Sequence, residues 1–102
     1  GKIPDAIIWA NDVMAVGCID EARLHFELHV PDDLAVVGYD GVSQAMWANY
    51  DLVTVRQPID VMADATVSLV MERVNNPELP PENRMFLGTV LKGSSARIDW
   101  QD

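Results

Sequence analysis

Two short, almost wholly apolar runs, each stopped by polar residues and joined by a stretch of helical periodicity, constrain this chain most. The first, Ala6-Ile7-Ile8-Trp9-Ala10, follows Pro4-Asp5 and stops at Asn11-Asp12. The second, Leu34-Ala35-Val36-Val37-Gly38, runs into Tyr39-Asp40-Gly41. Continuous apolar runs of this length suit strands covered on both faces, as in a parallel sheet. Between them Met14, Ala15, Cys18, Ile19, Ala22 and Phe26 recur at three- and four-residue spacings. Asp20, Glu21, Arg23 and Glu27 fall on the other side, which completes an amphipathic helix. Asn11 and Asp12 compete for its N-cap, and Pro31 disfavours helical backbone before it, so the helix is expected to end near Leu28. Strand, helix and strand in this order make a right-handed βαβ unit. Ligands of such sheets lie beyond the carboxyl ends of the strands. Asn11 and Asp40 stand at those two ends.

The second half repeats the alternation. Leu52-Val53-Thr54-Val55-Arg56-Gln57 is β-branched and strand-like. Pro58 suits the first position of a helix, with Asp60 and Asp64 near its positive end. Ile59, Met62, Thr66, Leu69, Val70 and Val74 form that helix's expected apolar face, and Asn75-Asn76-Pro77 ends it. Glu78 to Asn83, with Pro80-Pro81, is a stiff polar connector, and Met85 to Leu91 is the last expected strand, closed by Gly93-Ser94-Ser95. The fold class is therefore α/β, with a parallel sheet and flanking helices.

Charge narrows the function classes. The 102 residues carry 16 acidic and 7 basic side chains, a formal net charge of −9. The basic residues are scattered and form no patch, so this stretch is not expected to bind DNA by itself, and anionic membranes repel it. No apolar run approaches the roughly 18 residues of a membrane span. The lone Cys18 excludes an internal disulfide and a multi-cysteine metal site, and its apolar neighbours suggest a small buried hydrophobe. His25 and His29 lack a third ligand at metal-binding spacing, and Asp32-Asp33 has the character of a solvated turn. No Ser/His/Asp set and no phosphate-cradling glycine loop is present. No cofactor and no metal is expected, and the chain is read as a binding module, not an enzyme.

Four stretches carry a resemblance. They are Pro4-Asp5-Ala6 with Ala10-Asn11-Asp12-Val13-Met14-Ala15-Val16-Gly17, Val30 to Asp40, Thr54-Val55-Arg56-Gln57-Pro58, and Leu91-Lys92-Gly93-Ser94-Ser95. In that order and at those separations, they resemble the C-terminal part of LacI/GalR-family transcription regulators. The resemblance implies a partial periplasmic-binding-protein-like (type I) fold, in which two α/β subdomains close over a small sugar-like effector. It implies that residues 1–102 are a partial effector-binding and dimerisation domain: C-terminal subdomain plus a crossover strand and helix. The DNA-binding headpiece, the hinge and the N-terminal subdomain are then expected upstream, so that DNA is a partner only through the absent headpiece. The second helix is expected to bare an apolar face unless another copy covers it. A cytoplasmic location, a homodimer and no membrane partner follow from the same likeness.

The resemblance also assigns roles to individual residues. Asn11 matches a family asparagine that reaches the effector, where an amide can both donate to and accept from a hydroxyl; a plain helix cap is the alternative. Asp40 matches an aspartate facing the ligand, suited to accepting hydroxyl hydrogen bonds; an Asp-Gly turn is the alternative. Gln57 lies at the family's Arg-Gln-Pro position, where it either contacts ligand or caps the following helix. Met46, Trp47 and Tyr50 match the segment that joins the family's dimer interface, against which stands packing on their own core. A periplasmic sugar-binding protein of a transport system is the competing function, since it shares the fold and both strand ends.

Overall fold

The computed structural model describes residues 2–100, which fall into two compact units, residues 2–56 with 90–100, and residues 57–89. In chain order the elements are β1 (Ala6–Ile8), α1 (Asp12–Leu24), β2 (Ala35–Val37), a 3-10 turn (Ser43–Met46), β3 (Thr54–Arg56), α2 (Ile59–Asn75) and β4 (Thr89–Leu91). The α/β alternation expected from the sequence is present.

In the first unit β1 and β2 pair in parallel, with Ala6 opposite Ala35, Ile7 opposite Val36 and Ile8 opposite Val37. The sheet continues through parallel bridges Val37–Val53 and Asp40–Arg56. Gly38 N–H donates to the Val53 carbonyl and Asp40 N–H to the Val55 carbonyl, each at 2.9 Å. Higher up, where β2 and β3 part, Ser95 fills the gap. Val36 N–H donates to the Ser95 carbonyl at 2.9 Å. The Ser95 hydroxyl donates to the Val36 carbonyl at 2.6 Å and accepts from Val53 N–H at 2.8 Å. Gly93 permits this insertion, because a Cβ there would lie 2.3 Å from the Asp51 carbonyl oxygen. β4 pairs with β3.

α1 covers the sheet with Ala15, Ile19 and Ala22, which join Leu34, Val36, Ala45 and Leu52 in the buried core. Ile7, Trp9, Cys18, Leu28, Val30, Val42 and Tyr50 pack around it. Two residues of the expected stripe fall outside: Met14 is 47% and Phe26 is 65% exposed. Phe26 is excluded because α1 stops at Leu24, earlier than the Pro31 argument places it. Glu27 takes a left-handed φ of 53°, and Leu28 N–H returns to the Ala22 carbonyl at 2.9 Å. This reversal drops Leu28 and Val30 onto the core. Hydrophobic closure therefore ends the helix before proline does.

In the second unit, α2 begins at Ile59, one residue later than expected, with Pro58 as its N-cap. The Arg73 guanidinium donates to the Leu79 carbonyl at 3.1 Å and the Pro80 carbonyl at 2.5 Å, tying the connector to the last turn. No residue of α2 is buried. Besides the expected Ile59, Met62, Val70 and Val74, the residues Val61, Val67 and Met71 are also exposed. The strand expected from Met85 shrinks to Thr89–Leu91, because no ladder forms over 85–88 among the described residues, where Met85 and Leu87 stand fully in solvent.

Candidate functional site

The site is built where β1, β2 and β3 end. After β1 the chain passes Trp9, whose N–H still reaches the Val37 carbonyl at 2.8 Å, and then turns into α1. Asn11, extended at φ −153°, is the N-cap, and its Oδ1 accepts from Met14 N–H at 2.9 Å. Capping thus uses the amide oxygen of Asn11 and not the carboxylate of Asp12. Asn11 is half-buried, and an amide carries a donor as well as the oxygen used in capping.

Asp12 turns inward and is fully buried. Its Oδ2 accepts from Gly41 N–H at 2.8 Å and Val42 N–H at 2.9 Å, while its Oδ1 accepts from the Thr54 hydroxyl at 2.6 Å. Thr54 is itself fully buried. A carboxylate surrounded by donors and placed in the first turn of a helix offsets its own desolvation. Gly38 makes room for it, since a Cβ there would sit 2.3 Å from Asp12 Oδ1.

Asp40 follows on the β2 side, half-buried, with φ 139°, and Gly41 after it has φ 75°. A Cβ on Gly41 would meet Arg56 Cα at 2.8 Å, so the tight approach of this loop to β3 needs glycine. Asn11 and Asp40 therefore flank one hydrogen bond, that from Gly41 N–H to Asp12. Two side chains expected at strand ends from spacing alone are held to one another through their neighbours.

Gln57 belongs to the second unit, where it is half-buried and its carbonyl accepts from Ile59 N–H at 2.9 Å. The N-cap of α2 is Pro58, which makes no side-chain hydrogen bond. The segment holding Met46, Trp47 and Tyr50 splits. Met46 and Trp47 are 42% and 56% exposed, whereas Tyr50 packs against the core. The Tyr50 hydroxyl donates to Asp20 Oδ2 at 3.1 Å, and the Arg23 guanidinium holds the Asn49 carbonyl. Loss of solvent, and then the bond to Asp20, push the Tyr50 phenol above its usual pKa, with Arg23 opposing.

Elsewhere, the expected surface groups are paired along the exterior: His25 with Glu21, Asp33 with the His29 N–H, and Asp32 with Arg97. Cys18 is half-buried and lines an apolar groove of about 510 Å³ with Ile3, Pro4, Ile7, Trp9 and Phe26, which includes neither Asn11 nor Asp40. Among the described residues no group of His, Cys, Asp and Glu is placed to hold a metal ion, and no helix is long and apolar enough to cross a membrane. The buried set Asp12, Thr54 and Gly38 was not expected from the sequence. The available signal was the doubled Asn11-Asp12: a helix needs one N-cap, which leaves a second polar residue requiring a partner elsewhere.

Comparison with known proteins agrees with this fold. The family model described as a periplasmic binding protein-like domain matches residues 1–96. The ribose operon repressor of Escherichia coli strain K12 is 32% identical over 93 residues, which are 91% of this chain and 28% of that protein. A LacI-type transcription regulator from Bifidobacterium animalis subsp. lactis superposes with a TM-score of 0.81 at 35% identity, covering 93% of this chain and 34% of that one. A LacI family transcriptional regulator from Lactobacillus casei with bound sucrose superposes at 0.72 with 34% identity, covering 91% and 34%. The chain thus spans about 28% of the length of the curated repressor it matches. These relatives are regulators of transcription, so the transport-receptor reading is not favoured. The chain belongs to the periplasmic binding protein-like domain family, and within it resembles the C-terminal part of the effector-binding region of LacI/GalR-type regulators.

Proposed function

We propose that this chain forms one wall of the effector cleft in a cytoplasmic LacI-type regulator whose operator binding responds to a small sugar-like molecule. The observation that carries the reading is the juncture of Asn11 and Asp40 at the carboxyl ends of β1 and β2, linked through Asp12 and Gly41. An amide and a carboxylate at one rim offer donors and acceptors matched to vicinal hydroxyls. A relative of this fold at 34% identity is described with bound sucrose, which supports a sugar as the class of effector. Gln57 is a third candidate contact, and Met46, Trp47 and Tyr50 are candidates for the interface of a homodimer. Effector closure would then change operator affinity by favouring one conformation over another. DNA contacts belong to parts of the regulator outside this acidic stretch.

The test is a thermal-shift screen of ribose, sucrose and related sugars against the intact regulator, followed by titration of the best one. Asn11→Ala and Asp40→Ala are each expected to weaken that binding by about tenfold or more, the loss of one charge-assisted or buried hydrogen bond. Unchanged affinity in both variants would remove Asn11 and Asp40 from the effector site.

A further inference from the structure

The strained backbone at Asp40 needs something to hold it. A non-glycine residue at φ 139° persists only when its surroundings over-determine it. On one side Asp40 N–H is anchored to the Val55 carbonyl at 2.9 Å and its backbone bridges Arg56. On the other side the next two residues, Gly41 and Val42, give both their N–H groups to Asp12 Oδ2. The second oxygen of Asp12 takes the hydroxyl of Thr54, the residue before Val55. One fully buried side chain therefore joins the loop after Asp40 to the residue preceding its Val55 anchor, and it directly follows Asn11 in sequence.

We propose that Asp12 is the positioning residue of the effector wall: its carboxylate clasps the Gly41-Val42 loop to the start of β3 and so fixes Asp40 for contact. Asp12 itself reaches no effector, being sealed behind Gly38 and Thr54. The inference rests on the reading that Asp40 contacts the effector, and its test separates the two.

Asp12→Asn, Asp12→Ala, Asp40→Ala and the Asp12→Asn/Asp40→Ala double variant are made in the intact regulator, with ribose and sucrose as probes. An amide offers one acceptor where the carboxylate offers two, and a neutral bond is weaker than a charge-assisted one. Hydrogen exchange in the peptide covering Asp40 to Val42 is therefore expected to accelerate several-fold in Asp12→Asn, while the α1 peptide stays protected. Sugar affinity is expected to fall about tenfold in Asp12→Asn. In the Asp40→Ala background the same change is expected to cost nothing further, because Asp12 acts through Asp40. A general loss of stability would instead add to the Asp40→Ala effect, and additive losses overturn the proposal. So does unchanged exchange at residues 40–42. Should Asp12→Ala fail to fold, Asp12→Asn decides alone. Should neither sugar bind the parent protein while exchange still accelerates, the clasp stands and the sugar reading falls.

Discussion

The Ser95 hydroxyl occupies the point where β2 and β3 part, donating to the Val36 carbonyl and accepting from Val53 N–H. Ser95 is only 1% exposed, so neither backbone group can turn to water if the hydroxyl is lost. Ser95→Ala is expected to lower stability by about 1–3 kcal/mol in urea unfolding, the cost of stranding a buried donor and acceptor. A shift below about 0.5 kcal/mol, the range of neutral surface changes, would show that the gap closes without it. At this scale the sequence is legible where a residue's role is local. Counting along the apolar runs is enough to set Asn11 and Asp40 at strand ends. The roles of Asp12 and Ser95 are not reached this way, because their partners lie 29 to 59 residues away in the chain. A short sequence pattern carries no information about such pairings, whereas Gly38 and Gly93 record them indirectly as places where a Cβ has no room.

Among the elements, β1, α1, β2, β3 and α2 were all legible from apolar runs and helical spacing, and their ends were not. α1 stops at Leu24 because Leu28 and Val30 must reach the core, a tertiary demand that the Pro31 argument could not contain. β4 is short because residues 85–88 find no ladder partner among the described residues, although their composition suits a strand. α2 is the element least explained by its own unit. Ile59, Val67, Val70 and Val74 are exposed together along one side of the helix, with Val61 and Met71 exposed beside the Asp60, Asp64, Ser68 and Glu72 stripe. An apolar helix face of this length is normally covered by protein. The 102-residue chain by itself is therefore expected to self-associate at micromolar concentration in sedimentation velocity, and Val67→Lys with Val70→Lys to shift it towards monomer. A wild-type chain that sediments as a monomer would refute this. The net charge of −9 works against association, so the effect is expected to strengthen with salt.

For the whole molecule, the chain leaves its first unit after Arg56 and re-enters it at Val90, with α2 and its connector between. The first unit brings Asn11 and Asp40 to the ends of β1 and β2, with Asp12 accepting from the Gly41 and Val42 N–H groups between them. On the proposed reading it carries a single wall of the effector cleft. Buried sites enclose most of a small ligand's surface, and one open rim with a few polar groups gives little affinity for a hydrated sugar. The most direct measurement is calorimetric titration of one sugar, chosen by its binding to the intact regulator, into that regulator and into the 102-residue chain. Saturable binding by the regulator, with weak or undetectable heat from the chain, is the expected result. Micromolar binding by the 102-residue chain alone would contradict the one-walled cleft.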